Sequence, residues 1–233
     1  MADLPGIPSR RSFLKATAAS AAVATIPFRA ESAKAQDLPA LEDYKPTYFD
    51  AAEWTFVLAA CARLIPSEGD GPGAIETRVP VFIDLQLAGP FGAAADWYMA
   101  GPHDASADPK LGYQSPLTPA EVYRQAIPLF QDWCRANHGG AFETLDADTQ
   151  DKALTALQDG NVGLPAEMRD FFSLLLQNTK EGYFADPMYG GNHQMQAWVH
   201  VGFPGARGSY LEWVNNHNVE YPLGPVSISG ERA

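Results

Sequence analysis

Cysteine is rare in this chain, and positive charge is outweighed by negative. Two cysteines, Cys61 and Cys134, stand among 233 residues. Neither lies in a Cys-x-x-Cys or Cys-x-x-Cys-His pattern, which excludes c-type haem attachment and leaves too few thiolates for an iron–sulfur cluster of the chain's own. A Gly-x-Gly-x-x-Gly turn, a Walker loop, a His-Glu-x-x-His pair and a Gly-x-Ser-x-Gly elbow are all missing, so no familiar nucleotide, zinc or nucleophile motif is legible. Alternation with period two never persists long enough for a sheet. Nor is any apolar run close to the roughly 20 residues that span a bilayer.

Lys and Arg number 16 against 28 Asp and Glu. The first 35 residues hold five of the basic and two of the acidic ones, so residues 36–233 carry 11 against 26, a net charge of −15. Such a charge repels nucleic acid and anionic lipid at long range. Hydrophobic residues, at 46% with 12 Phe, 9 Tyr and 5 Trp, place the chain far from disordered compositions. The 198 residues after position 35 suffice for one domain with a real core.

The N-terminal segment reads Ser9-Arg10-Arg11-Ser12-Phe13-Leu14-Lys15, then an apolar, Ala-rich stretch from Ala16 to Ile26, then the small-x-small site Ala33-Lys34-Ala35. Paired arginines, an aromatic-leucine pair, a short apolar region and a cleavage site in that order make residues 1–35 a twin-arginine signal peptide. Arg10, Arg11, Phe13 and Leu14 carry the signal, and Ala33 and Ala35 the cleavage. Such signals address a translocase that accepts folded cargo, and the expected destination is the periplasm.

Residues 36–49, polar and Pro-containing, read as a linker, and residues 50–233 as one helical domain. Asp50 with Glu53 caps a helix over Ala51–Ile65 that Pro66 ends. Pro80 at a first-turn position, with Phe82 and Leu85 at helical spacing, predicts a helix over Val79–Leu87. A short helix is expected over Ala93–Met99, and a long loop over His103–Pro116. Thr118-Pro119-Ala120-Glu121 opens a helix reaching about Asn137, with Val122, Ile127, Leu129, Phe130 and Trp133 on its buried side. Helices over Leu145–Gln158, Ala166–Lys180, Asn192–Val201 and Ser209–Asn215 follow. The fold class is therefore mainly α: a single irregular helical domain with long Gly/Pro-rich loops after a cleavable signal. Cys61 and Cys134 both fall in helices. They could bridge two neighbouring helices, stay as separate buried thiols, or reach a partner chain.

The densest block is Gly182-Tyr183-Phe184-Ala185-Asp186-Pro187-Met188-Tyr189-Gly190-Gly191-Asn192, continuing through Trp198 to Gly202-Phe203-Pro204-Gly205. It combines tight turns, a Gly pair and a capping Asn with a wall of aromatics, and it reads as shaped rather than reactive. Interface, ligand pocket and core are all open, with an interface favoured by aromatic and Met enrichment at contacts. The interface candidates are Tyr183, Phe184, Met188, Tyr189 and Trp198, with Tyr113 from the preceding long loop. His193 and His200, with Glu181 or Asp186 nearby, could be imagined as metal ligands, but a hydrogen-bonded surface histidine is the commoner situation; no catalytic, cofactor or metal residues are assigned.

This block resembles the gluconate 2-dehydrogenase subunit 3 family, together with Phe82-Ile83-Asp84-Leu85-Gln86-Leu87-Ala88-Gly89, Tyr98-Met99-Ala100-Gly101-Pro102, Gly112-Tyr113-Gln114 and Thr118-Pro119-Ala120-Glu121-Val122-Tyr123-Arg124. The similarity spans roughly residues 50–215. It implies a small, non-catalytic, twin-arginine-exported subunit of a membrane-bound gluconate, glucose, sorbitol or fructose dehydrogenase. In such complexes a large FAD-containing subunit oxidises the sugar and a multihaem cytochrome c subunit takes the electrons. The resemblance thus implies FAD, an iron–sulfur cluster and haem c on partner subunits and none in this chain. The partners it implies are those two subunits and the twin-arginine translocase, without nucleic acid, and the location is the periplasmic face of the inner membrane, held through the complex. The other reading is a free-standing periplasmic binding protein or enzyme using the region from Asp186 to His200 as a pocket.

Replacing both Arg10 and Arg11 with Lys is expected to abolish export and leave the fold intact, because a receptor reads these residues and the charge is unchanged. Immunoblots of periplasmic and cytoplasmic fractions check this, and undiminished periplasmic protein would contradict it.

Overall fold

The computed structural model describes residues 39–104 and 106–233. Arg10, Arg11, Phe13, Leu14, Ala33 and Ala35 lie outside the described residues. Six α-helices occur among those described: α1 (Ala51–Leu64), α2 (Val79–Ala88), α3 (Pro119–His138), α4 (Ala147–Gln158), α5 (Phe171–Phe184) and α6 (Gln196–Val201). Short 3-10 turns and two isolated backbone bridges, Gly205 with Val226 and Val226 with Arg232, complete the architecture. No described helix is long and apolar enough to cross a membrane. The mainly α expectation holds.

Local chemistry explains where the helices start. The Asp50 carboxylate accepts from the amides of Ala52 and Glu53, and Glu53 reaches back to the Asp50 amide, so α1 opens on a complete capping box. Thr118 and Glu121 do the same for α3, with Pro119 in its first turn and Gly139 in left-handed conformation closing it. Asp146 caps α4 by accepting from Thr149.

Phe56 of α1 centres the core. Its ring meets Phe142 at 5.5 Å, Phe130 of α3 at 5.8 Å and Phe171 of α5 at 6.4 Å, and Phe171 in turn meets Tyr123 edge-on at 5.4 Å. All five side chains are fully buried. The Tyr123 hydroxyl, which burial would otherwise leave unsatisfied, accepts from Asn178 Nδ2 at 3.0 Å. Helix α2 packs closely on α5 because Gly182 presents no side chain: a Cβ there would lie 2.8 Å from the Phe82 ring.

Several sequence expectations need correction. Ala93–Met99 is a succession of turns rather than a helix, since Ala94 takes a left-handed φ of 51° and Trp97 turns instead onto Phe91 and Tyr113. The expected Ala166–Lys180 helix is a 3-10 turn at Ala166–Met168, then α5, which runs on to Phe184; Asp170, with ψ near 5°, separates the two. Asn192–Val201 shrinks to α6 preceded by a 3-10 turn, because Asn192, Gln194 and Met195 have positive φ. Ser209–Asn215 holds only the turn Leu211–Trp213, where no residue is buried and so no packing supports a helix. Leu129 points outward from α3.

The supposed linker is also only partly one. Tyr44, Thr47, Tyr48 and Phe49 are bound to the helical body through the Asp84 carboxylate of α2, which is fully buried. Residues 44–49 therefore form a strap that belongs to the fold.

The cysteines do not pair. Cys61 of α1 faces Thr179 of α5, with Sγ 3.8 Å from Oγ1, while Cys134 is buried on α3. Both side chains are fully buried, and neither is in a disulfide. Burial pushes both thiols up to about 12, which leaves almost no thiolate at neutral pH. Native protein at pH 8 is expected to take up no maleimide, and two equivalents per chain after denaturation. Mass spectrometry reads the count, and labelling of the folded chain would contradict the burial.

Candidate functional site

The block from Gly182 to Gly205 is built on α5, α6 and the turns between them. Asp186 begins the turn Pro187–Tyr189: one carboxylate oxygen accepts from the Met188 amide at 3.1 Å, and the other from the Ile228 amide at 2.7 Å. One buried side chain thus shapes the turn and holds the C-terminal segment against it. Gly190, at φ 93°, closes the turn, and a Cβ there would lie 2.8 Å from Leu85 Cδ1. At Gly191 a Cβ would fall 2.2 Å from the Gly182 carbonyl oxygen, so only glycine fits. Asn192, fully buried, donates to the Ala185 carbonyl and accepts from the Ala197 amide, both at 2.9 Å. This network holds the start of α6 to the end of α5.

The six interface candidates separate on this frame. Tyr183 and Trp198 are 7% and 6% exposed and belong to the fold. The Tyr183 hydroxyl donates to the Pro72 carbonyl at 2.8 Å, and Trp198 Nε1 donates to the Phe184 carbonyl at 2.9 Å. Both are pins that hold the turns, a correction to their expected place on an interface. Phe184, Met188 and Tyr189 are 49%, 56% and 46% exposed. Tyr113 is half-buried, with its ring 4.8 Å from Trp97 and its hydroxyl donating to the Leu117 carbonyl at 2.6 Å, so its contacts lie in the loop before α3.

Sequence reading missed the neighbours that extend this face. Leu85 shares helical spacing with buried Phe82 yet is exposed beside Gly190. Phe203, exposed, packs its ring on Trp198 at 5.1 Å, and exposed Ile228 is tied to Asp186. Leu85, Phe203 and Ile228 are thus exposed apolar residues attached to the frame that displays Phe184, Met188 and Tyr189. Only the Gly pair next to Met188 and Tyr189 signalled it, since close backbone approach brings two helices under the same surface.

The other candidate is an open cleft of about 490 Å³ between the loop after α1 and the start of α6, lined by Ser67, Asp70, Glu76, Gln194, Gln196 and His200. His200 lies over Gly71, where a Cβ would come within 2.8 Å of Nε2. His193 is partly buried, and its imidazole titrates lower than usual because burial, and then the nearby Arg78 charge, disfavour the cation. Among the described residues no three His, Cys, Asp or Glu side chains gather as a metal set. Asp186, which bounds the pocket of the alternative reading, caps the turn Pro187–Tyr189.

Truncation separates pins from face. Trp198→Ala is expected to cost about 3–5 kcal/mol, a fall in Tm of about 6–20 °C for a body of this size, whereas Tyr189→Ala should move Tm by less than about 2 °C. Thermal denaturation of the isolated chain measures both; equal losses would place Tyr189 in the core.

No curated protein and no solved structure matches the chain. The family model described as gluconate 2-dehydrogenase subunit 3 matches residues 51–205, and the model of the twin-arginine translocation signal sequence matches residues 8–27. The first match begins at α1 and ends at the Gly205 bridge, taking in the whole block and the Asp84 helix. The chain is addressed to twin-arginine export and belongs to the gluconate 2-dehydrogenase subunit 3 family, as a small subunit of a dehydrogenase complex.

Proposed function

We propose that this chain is the non-catalytic small subunit of a periplasm-facing, membrane-bound flavoprotein dehydrogenase acting on a sugar or sugar acid of the gluconate, glucose, sorbitol or fructose type. It binds the large FAD-containing subunit and escorts it through twin-arginine export. The observation that carries this reading is the exposed face of Phe184, Met188, Tyr189 and Leu85 on turns that glycine packing makes rigid. Large side chains on a fixed backbone lose little entropy on docking, so a few of them can supply most of the binding energy. FAD, the iron–sulfur cluster and haem c then belong to partner subunits, and a multihaem cytochrome c subunit attaches the complex to the inner membrane.

Escort gives the export signal of residues 8–27 its purpose in a subunit without catalytic motifs. A large subunit bound before translocation crosses with the chain that carries the address. The acidic body, repelled by anionic lipid, suits attachment through protein contacts rather than through its own surface.

Tyr189→Ala is expected to weaken capture of the co-expressed flavoprotein by about 2 kcal/mol, roughly 30-fold in Kd, and to lower the amount of flavoprotein exported, with Tm nearly unchanged. Tyr189→Asp should be more severe, since it places a charge in a dry contact. Pull-down from cells expressing both chains, with fractionation, measures these effects; capture unaffected by both variants would remove the face from the contact. The purified chain alone should show no flavin or haem absorbance and should oxidise no sugar with an artificial acceptor. Stoichiometric flavin or turnover would instead favour an enzyme using the cleft at His200.

A further inference from the structure

The strap of residues 44–49 joins the export signal to the body, and its bonds involve three helices at once. The Asp84 carboxylate of α2 accepts from the Tyr44 hydroxyl at 2.8 Å and from the amides of Thr47, Tyr48 and Phe49 at 2.7, 2.9 and 3.1 Å. From α3, Arg124 donates to the Tyr48 carbonyl at 2.6 Å and lies 4.3 Å from the centre of the Tyr48 ring. The Tyr48 hydroxyl bonds the Ala120 carbonyl, and Arg124 also pairs with Glu53 of α1. Phe49 is buried against Trp54 of α1 and Tyr123 of α3.

Every one of these partners except Glu53 and Trp54 is distant in sequence. A segment that bends at Thr47 and Tyr48 so that three consecutive amides converge on one distant carboxylate has no partner in its own neighbourhood to hold that shape. It can hold only after α1, α2 and α3 have assembled around it, because loop closure over these separations is unfavourable until the packing rewards it.

We propose that the strap and Asp84 form a folding-gated latch for export: its closure fixes the chain between the signal and the body only in a molecule whose helices are assembled. The twin-arginine route takes folded cargo, and the strap is the first described segment after the signal that is bonded to α2 and α3. A precursor with an open latch joins its signal to loose chain carrying exposed Tyr44, Tyr48 and Phe49, and it is retained. A closed latch buries Phe49 and covers Tyr44 and Tyr48 in part.

The test uses the full-length precursor with Asp84→Asn, compared with a Leu154→Ala control. Leu154 lies in the core on α4 and takes part in none of the latch bonds; if its melting temperature differs from that of Asp84→Asn, the comparison is made at growth temperatures giving equal folded fractions. In Asp84→Asn the amides of Thr47, Tyr48 and Phe49 should exchange at least 100-fold faster while amides of α4 and α5 stay protected. Its exported fraction should fall at least five-fold below the control's. Equal export of the two variants at equal folded fraction would reduce the latch to ordinary stability and overturn the proposal. Wild-type export despite released strap amides would overturn it as well, and strap amides that remain protected would refute the role of Asp84. Should Asp84→Asn leave no folded body, Tyr44→Phe, which removes a single donor, carries the same comparison with an expected fall of at least two-fold, and export equal to its matched control would count against the latch.

Discussion

A carboxylate without access to water organises the N-terminal half of this protein. Asp84 sits on α2 among Val81, Phe82 and Ile83, all buried, in surroundings where an unsolvated charge is costly. Its two oxygens offer about four acceptor positions, and four donors from the strap fill them. The charge has no stable alternative inside the fold, so the strap must be where it is. Fixing the strap fixes Phe49 against Tyr123, and Tyr123 in turn positions Phe171 and Asn178 of α5. Burial together with the facing carboxylate pushes the Tyr44 phenol well above its ordinary value, which keeps it a donor across the biological pH range.

From α5 the constraint passes to the exposed Phe184, Met188 and Tyr189. Gly182 lets Phe82 and α2 approach, Gly191 approaches Gly182, and Gly190 meets Leu85, so the Met188–Tyr189 turn rests on the helix that carries Asp84. Asp186 repeats the logic on a smaller scale, one buried carboxylate satisfied by two amides, one of them from the C-terminal segment. Backbone donors ending on carboxylates hold residues 47–49 and Ile228 to the helical body, where apolar packing alone would allow sliding. Phe184, Met188 and Tyr189 are then held exposed rather than collapsed onto the core.

The main departures from the sequence reading have a common cause. Tyr183, Phe184, Met188, Tyr189 and Trp198 look alike in a list of residues, yet two are pins with hydrogen-bonded polar atoms and three are exposed. That division depends on which carbonyls lie within reach, Pro72 for Tyr183 and Phe184 for Trp198, and the first of these comes from a distant loop. Leu85 keeps the spacing of a core residue, and only the glycine turn above it leaves it uncovered. The strap looked like a linker because its partners are Asp84, 35–40 positions away, and Ala120 and Arg124, 72 and 76 positions away, and no periodic pattern records such contacts.

What the sequence by itself determined is what depends on neighbours in the chain. The capping pairs Asp50 with Glu53 and Thr118 with Glu121, the helical spacing of Val122, Ile127 and Phe130, the export signal and the family resemblance are all local or linear. The tertiary structure alone decided the free state of Cys61 and Cys134, the strap's attachment to Asp84, and the division of the aromatic block into pins and face. Each of these rests on distances between residues far apart in the chain, which exist only once the helices have packed; for the aromatic block it is glycine that lets α2 and α5 come close.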